Sequence, residues 1–251
     1  MKNLLITLFF LLPALSGNTQ SWSRYGRAYF NAAPSRYWHV GIHGGLPFFW
    51  GDFTSTAAGK TYTGYLAGVQ AGYRFNSFFG MSLSLEYAAN KAGARDYAMD
   101  YLMDAGGMTY YIPQPFDTKR YGDLYAAIAM FGAGLHADFN ANRIFGKNPA
   151  AAKLKLIVSP AVYLQHFRSE IYTRAEDALF AAPRRNKPLS LGLGGSVALR
   201  YDFHPAIGVE LKGAANWITD NHFDNIVTVG YVAHNALWSM TAGLVWKIHN
   251  H

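Results

Sequence analysis

The chain has 251 residues, a formal net charge of +7 and no cysteine. Aromatic residues make up 16% of the chain and charged residues only 15%, whereas charged residues supply about a quarter of a typical soluble domain. The missing cysteine excludes disulfides and thiolate metal sites, and the low charge argues against a typical soluble enzyme.

The N-terminus predicts export from the cytoplasm. Lys2 precedes the apolar run LLITLFFLLPAL, and the segment Ala14, Leu15, Ser16 supplies a small-x-small cleavage site. This arrangement is typical of a secretory signal peptide over residues 1–16, and a buried N-terminal helix is the alternative. Residues 17–35 show no clean period, so we interpret them as a periplasmic lead-in.

The rest of the chain, 36–249, predicts a barrel of eight strands. Apolar and polar residues alternate with a period of two, as in strands with two different faces; the stretch YLAGVQAGYRF at 65–75 is a clear example. The predicted strands lie near 37–50, 65–75, 81–87, 125–139, 154–165, 189–201, 209–217 and 238–248. In the fourth, LYAAIAMFGAGL is apolar on both faces, so a buried helix is the alternative.

The connections between these strands alternate in length. The first, third, fifth and seventh are long and rich in Gly, Asp and Asn, whereas the second and sixth are tight turns. In an up-and-down barrel this places all long loops at one rim, which is the pattern of outer-membrane barrels. The fourth connection, 140–152, is long for a periplasmic turn. This length indicates that the predicted boundary of the fourth or the fifth strand is misplaced.

Composition indicates which face of the strands meets lipid. A soluble lipocalin-like barrel would have polar residues outside, but here the polar face consists mostly of Gly, Ser and Ala with single charges of both signs. Such residues suit the crowded lumen of an eight-stranded barrel. Aromatic residues at the ends of the apolar face suit membrane interfaces; in the first predicted strand these are Tyr37 and Trp38 at one end and Trp50 at the other. The predicted luminal polar network is His39, His43, Gln70, Arg74, Glu86, Lys155, Arg200, Glu210 and Lys212.

The C-terminal segment TAGLVWKI, 241–248, resembles the β-signal of outer-membrane barrels: a polar residue, a glycine two positions later, then two spaced hydrophobic residues. The residues that carry this pattern are Thr241, Gly243, Trp246 and Ile248. The resemblance implies that the barrel-assembly machinery reads the segment during insertion. Asn250 and His251 follow where an aromatic terminus is usual.

The mature chain, with GIHGGLPFFWGDF in its first strand, resembles the small OmpA-like/OmpX-like outer-membrane barrel families, particularly those common in Bacteroidota. This resemblance agrees with an all-β, eight-stranded antiparallel up-and-down transmembrane β-barrel in the cell outer membrane. No peptidoglycan-binding domain follows the barrel, so we do not expect the anchoring role of full-length OmpA-type proteins.

We expect neither a metal nor a cofactor. His39 and His43 share a face but lie about 13 Å apart at ~3.3 Å per residue, which is too far to share one ion. His249 and His251 could share one, although a frayed terminus is the simpler interpretation. An acidic stripe recurs in the third connection and lacks the converging oxygens of a calcium site; its residues are Asp96, Asp100 and Asp104.

The long connection between residues 90 and 122 is the predicted contact surface, because loops of that length are usually functional or disordered. Its candidate anchors are Tyr97, Tyr101, Tyr110, Tyr111 and Phe116. We therefore predict a non-enzymatic barrel whose external loops contact a partner protein or an envelope component. The predicted surroundings are outer-membrane lipid and lipopolysaccharide, and no nucleic acid, because the basic residues are scattered.

Two alternative functions remain open. The first is a narrow channel for small solutes, which a filled lumen argues against. The second is an enzyme that modifies lipid A by nucleophilic hydrolysis. His234 and Ser239 are near each other in the sequence, but no acid is placed beside them and the elbow G-x-S-x-G is missing.

Overall fold

The computed structural model describes residues 36–57, 59–95, 98–142, 152–182, 189–220, 224–226 and 235–248. The predicted signal peptide, 1–16, and the predicted lead-in, 17–35, lie outside the described residues, as do 249–251.

Eight long antiparallel strands form the fold. They are Tyr37–Trp50 (β1), Tyr65–Arg74 (β2), Phe79–Ala94 (β3), Leu124–Asn140 (β4), Leu154–Thr173 (β5), Ser190–His204 (β6), Ile207–Ile218 (β7) and Asn235–Ile248 (β8). Each strand pairs with its sequence neighbours, and β8 pairs with β1 from Ile248 opposite Trp38 to Ala236 opposite Trp50. The sheet therefore closes on itself, which confirms the predicted eight-stranded antiparallel barrel.

The fourth segment is a strand, and the helical alternative is wrong. Leu124–Asn140 pairs with β3 on one side and β5 on the other. The periplasmic boundaries, Asn140 and Leu154, lie close to the predicted ones, so the connection between them is long in the structure as well. The side chain of Asn142 joins the two ends of this connection: it donates to the carbonyl of Leu154 and accepts from the N–H of Leu156. In the described part of the chain, no helix is long and apolar enough to cross a membrane.

The loops at the other rim are called L1 (51–64), L2 (95–123), L3 (174–189) and L4 (219–234). They contain short strands: Phe53–Thr54, Thr56–Ala57, Lys60–Thr61, Leu102–Met103, Thr109–Tyr110, Lys119–Arg120 and Leu179–Ala181. A 3₁₀ turn, Tyr121–Asp123, leads into β4.

Three neighbouring strands extend past the others at the external rim. β3, β4 and β5 contain 16, 17 and 20 residues, compared with the roughly 9–11 that cross a bilayer when tilted. The extensions, called the external wall, are residues 88–94, 124–130 and 167–173. Phe53–Thr54 pairs with the β3 margin of this wall, and Leu179–Ala181 pairs with its β5 margin.

The chemistry of the two faces changes where the wall begins. Below it, Leu83 and Leu85 of β3 face outward and are exposed, while Ser82 and Ser84 are buried inside. In the wall, the charged Lys91 faces outward and is exposed. Most inward side chains of the wall are apolar and buried, among them Ala88, Ala92, Phe167 and Ile171, while Asn90 and Ser169 are buried polar ones. The third and fifth strands were predicted to end at Tyr87 and Gln165 because the pattern changes there.

Large apolar side chains cover the outside of the barrel below the wall. Exposed examples are Trp38, Ile42, Trp50, Tyr65, Leu83, Phe131, Val162, Leu193, Leu211, Trp217, Trp238 and Ile248. Trp38 and Trp50 are about 40 Å apart along β1 at ~3.3 Å per residue, or about 28 Å along the normal at a ~45° tilt. Tyr37 was predicted at the same membrane interface as Trp38. It lies inside the barrel instead, because the alternation groups it with His39.

The closing seam between β1 and β8 can be tested at Gly45, which lies in the seam, with Gly213 of β7 as the control. A Cβ added at Gly45 would lie 1.9 Å from the carbonyl oxygen of Met240, whereas one at Gly213 has nothing within 4 Å. We expect Gly45→Ala to prevent most molecules from closing and Gly213→Ala to fold normally. The measurement is the folded fraction after refolding into lipid vesicles, read from heat-modifiable gel migration. Equal yields would contradict the described seam.

Candidate functional site

The lumen has a polar layer on the periplasmic side. Side chains from all eight strands meet there, and their charges nearly balance: the cations are Arg74, Lys155, Arg200, Lys212 and Lys247, and the carboxylates are Glu86, Asp138, Asp202 and Glu210. The predicted luminal residues all face this interior. Because an isolated buried charge is costly, such a layer requires close pairing.

The pairing is dense around Asp202 of β6. The Nζ of Lys155 lies 2.9 Å from Asp202 Oδ2, and Lys247 of β8 contacts the same oxygen. The three side chains are nearly excluded from solvent. A single carboxylate therefore holds two lysines from strands that do not pair with each other.

Two further charge clusters lie in the same layer. Arg200 donates from Nε and Nη2 to Glu210 Oε2, at 2.8 and 2.6 Å. Glu86 Oε1 lies 3.2 Å from His43 Nε2 and 3.6 Å from Lys212 Nζ. The contacts of Glu86 join β1, β3 and β7 across the lumen, so they link strands that are not all neighbours in the sheet.

Arg74 and Gln70 contact β3 and β4. Arg74 Nη1 donates to the carbonyls of Phe78 and Asp138, and Gln70 donates to Ser82 at 2.9 Å. The carboxylate of Asp138 accepts hydrogen bonds from Ser82 at 2.8 Å and from Ser159 at 2.6 Å.

The two predicted luminal histidines, His39 and His43, have different surroundings. His43 bonds Glu86, whereas neither ring nitrogen of His39 has a hydrogen-bond partner. Among the described residues, no three His, Asp or Glu side chains are grouped to hold a metal ion. The histidine pair at 249 and 251 lies outside those residues, as do Asp96 and His234.

Above the polar layer, the lumen is filled by an apolar cluster that the sequence did not suggest. Nine of its large members, called the plug, come from barrel strands and external loops: Phe49, Phe53, Leu66, Met103, Tyr121, Phe167, Ile218, Ile226 and Leu237. Phe49 meets Phe167 edge-on at 6.3 Å, and Phe53 packs against Tyr121 at 5.2 Å. The plug closes the external end of the lumen.

A short segment of L4 connects the loops above the plug. Asp224 accepts a hydrogen bond from the N–H of Phe53 in L1 at 3.0 Å, and Asn225 donates to the carbonyl of Ala182 in L3 at 3.0 Å. Gly107 of L2, with φ of 81°, packs so closely that a Cβ would lie 2.4 Å from the Asn225 oxygen. The described parts of the four loops therefore form one cap.

L2 brings the predicted aromatic anchors together, apart from Tyr97, which lies outside the described residues. Tyr101 is half-buried and contacts Tyr111 edge-on at 4.8 Å, and Tyr110 contacts Phe116 at 5.4 Å. Four apolar side chains remain exposed and are called the L2 tip: Met108 at 42%, Tyr111 at 65%, Ile112 at 68% and Phe116 at 47%. Met108 and Ile112 were not predicted.

Asp104 orders this loop through hydrogen bonds and is not part of a helical acidic stripe. Its Oδ1 accepts from the N–H groups of Gly106 and Met108, and its Oδ2 accepts from the Tyr110 hydroxyl at 2.8 Å. The residue lies between a short strand and a turn, not in a helix.

The hydrogen bond to Asp104 raises the pKa of Tyr110 above its ordinary value. The contribution of this contact to loop stability is therefore complete below the pKa of a free tyrosine, and it is lost as the pH rises through the raised one. We expect Asp104→Asn to move the ionisation of Tyr110 to lower pH. The measurement is an ultraviolet tyrosine titration with Tyr110→Phe subtracted; an unchanged curve would contradict the contact.

Two luminal carboxylates that were not predicted, Asp202 and Asp138, follow the same alternation as the inward residues of their strands. Asp202 follows Arg200 by two positions, and Asp138 shares the parity of His136, which is also buried. Asp138 was overlooked because its strand is apolar on both faces. In the segment that resembles a β-signal, Thr241 faces the lumen, whereas Trp246 and Ile248 face outward.

The closed pairing, apolar exterior and filled polar interior define the class of the molecule. It is a transmembrane β-barrel of the outer-membrane type, and its location is the outer membrane. A soluble barrel would have its faces exchanged, so that alternative is wrong.

No protein-family model and no curated protein matches the sequence. Among solved structures, the chain is similar to Neisserial surface protein A, with 14% identity, a TM-score of 0.46, and 84% of this chain and 97% of that one covered. For OprG from Pseudomonas aeruginosa the identity is 12% and the TM-score 0.44, with 84% of this chain and 96% of that one covered. For Ail of Yersinia pestis the identity is 10% and the TM-score 0.43, with 85% of this chain and 100% of that one covered. These TM-scores are below 0.5, so the class rests on the strand pairing and the exterior.

Proposed function

We propose that this barrel is a non-enzymatic outer-membrane protein that binds a partner protein or envelope component through the L2 tip. The observation that carries the proposal is four exposed apolar side chains on a loop that is otherwise packed and hydrogen-bonded. Exposed aromatic residues on a supported surface are the usual anchors of protein recognition.

The tip is ordered by the structure beneath it. Tyr111 rests on Tyr101, which contacts Tyr121 of the plug, and Pro113 and Pro115 restrict the backbone around Ile112 and Phe116. Binding at such a surface costs little additional ordering of the loop. The exposed bases Lys119 and Arg120 flank it.

The lumen supports this interpretation over a channel. A solute entering from outside would meet the plug and then the paired charges around Glu86 and Asp202. The charge layer consists of side chains of the barrel strands, and the plug contains strand residues such as Phe49 and Phe167 besides its loop residues, so neither layer is removed by the movement of a single loop.

The arrangement of serines and histidines supports a non-enzymatic role. Ser84 Oγ and His136 Nε2 are 2.9 Å apart, but both are buried in the lumen, where the acyl chains of membrane lipids do not reach. Ser239 is also buried inside the barrel. We expect the mass of lipid A to be the same with and without this protein.

We further propose that the chain is related to the small OmpA-like/OmpX-like barrels of the Bacteroidota type. Its C-terminal strand would then be read by the barrel-assembly machinery. Supporting features are the short periplasmic turns at 75–78 and 205–206, the long external loops, and the TAGLVWKI segment in β8.

The test is to purify the tagged protein from its own membranes in mild detergent and to quantify what accompanies it. We expect a stoichiometric companion that is lost in Tyr111→Ser/Ile112→Ser/Phe116→Ser. The matched control is Leu179→Ser, which removes a 55% exposed apolar side chain from L3 and should keep the companion. A wild-type protein that is recovered alone, or a triple variant that keeps its companion, would contradict the proposal.

A further inference from the structure

The outward positions of the eight strands are almost free of charge, with one exception. Outward Asp, Glu, Lys and Arg side chains occur only at Lys91 of β3 and at Arg168 and Glu170 of β5, and the other outward residues of these fully described strands are aliphatic, aromatic, glycine or His166. All three charges lie in the external wall. Charge therefore begins on one side of the barrel, directly above the apolar band.

The strand register fixes their height. Tyr87, Phe131 and His166 lie in one row across β3, β4 and β5. Arg168 is one outward position above that row and Lys91 is two positions above it. With ~3.3 Å per residue and a ~45° tilt, each charge lies about 5–9 Å above the residue of that row in its own strand. This is the height of lipid headgroups rather than of acyl chains.

The guanidinium of Arg168 is oriented by its neighbours. Its Nε and Nη2 donate to Glu170 Oε1 at 3.2 and 2.8 Å, and the hydroxyl of Tyr172 donates to the other Glu170 oxygen at 2.6 Å. The Nη1 hydrogens and one Nη2 hydrogen remain for another acceptor. The side chain is 70% exposed, so these donors face the membrane surface.

Lys91 pairs with Ala127 of β4, which pairs with Glu170 on its other side; Arg168 is one outward position below Glu170 and pairs with Ala129. The Nζ of Lys91 is 4.5 Å from the centre of the Tyr125 ring and 3.4 Å from the Tyr125 hydroxyl, and that hydroxyl also donates to Asp177. The strand between the two cations has only small outward side chains at this level, Ala127 and Ala129. Two strand spacings of ~4.8 Å separate the cation-bearing strands, so Lys91 and Arg168 lie diagonally on either side of these small side chains.

We propose that this wall patch, formed by Ala89, Lys91, Ala127, Ala129 and Arg168, binds a phosphate group of lipid A in the outer leaflet. A phosphate over the alanines can accept from Lys91 and from the free Arg168 donors, and a guanidinium suits phosphate geometry. Glu170 and Asp177 reduce the net charge of the region; Glu170 fixes the direction of the guanidinium. The proposal relies on the external position of the loops and does not involve the L2 tip.

The test is titration of the detergent-purified protein with bisphosphorylated lipid A, with apparent Kd read by native mass spectrometry. We expect Lys91→Met/Arg168→Met to bind about tenfold or more weakly, because two charge-assisted contacts are lost. The matched control is Lys119→Met/Arg120→Met, which removes the same two charges from L2 and should bind as the wild type does. Heat-modifiable migration establishes that each variant is folded.

Two additional ligands identify what is recognised. Lipid A without phosphates should bind the wild-type protein as weakly as the wall-patch variant binds the intact lipid, and phosphatidylglycerol should not displace bound lipid A at equal concentration. Equal affinity of the wild type and the wall-patch variant, an equal loss in the L2 control, or displacement by phosphatidylglycerol would each overturn the proposal. A wall-patch variant that keeps its companion protein would separate this result from the L2 contact.

Discussion

Asp202→Asn should lower the free energy of unfolding of the barrel by about 3–5 kcal/mol, the cost of removing one partner from a buried ion cluster. The substitution preserves size and leaves Lys155 and Lys247 as neighbouring buried cations without the carboxylate that both contact. The measurement is urea unfolding in lipid vesicles followed by tryptophan fluorescence, with wild type and variant at the same pH and salt.

A charge-free cluster is the control for this result. Replacing a buried ion group by apolar residues of similar volume is often neutral or stabilising. We therefore expect Asp202→Leu/Lys155→Met/Lys247→Met to recover most of the stability that the single change loses. If Asp202→Asn unfolds at the wild-type urea concentration, the two lysines are hydrated rather than dependent on the carboxylate.

Phe49→Ala should lower the free energy of unfolding by about 3–5 kcal/mol, as expected for a large aromatic side chain deleted from a close-packed core. Phe49 is 1% exposed and packs in the plug against Phe167. The residues around it belong to strands and to loops, so the space that is left cannot collapse by moving one element. Unfolding in the same vesicles measures the loss.

The adjacent residue is a matched control. Phe48 lies on the same strand but faces outward and is half-buried, so in Phe48→Ala lipid replaces the contacts that the ring loses. We expect a clearly smaller loss than in Phe49→Ala. Equal losses would mean that the external end of the lumen is hydrated instead of packed.

The strands could be predicted where one chemistry applied to each face along the whole segment. β1 has the predicted bounds, 37–50, because its outward residues stay apolar from Trp38 to Trp50. β3 and β5 continue beyond their predicted ends because they leave the membrane. There the outward side meets water and the inward side meets the plug, so the apolar and polar sides exchange while the strand continues.

The polar face could be deduced from alternation, but the partners within it could not. The period of two assigns Lys155 and Arg200 to the lumen, whereas their contacts with Asp202 and Glu210 depend on strand register and barrel curvature. The plug was hidden for a different reason. Its residues come from β1, β2, β5, β7, β8 and the loops, and single apolar residues such as Phe53 and Ile226 have no periodic signal in a loop.

The short strands at the margins of the external wall restrict how anything can bind there. A wall of three strands outside the membrane would have two open margins, and open margins of a sheet are templates for a further strand from another chain. Phe53–Thr54 and Leu179–Ala181 occupy positions along both margins. The wall is therefore protected from strand addition and from edge-to-edge aggregation, and a partner must recognise side chains on its face or on the loops rather than extend its backbone ladder.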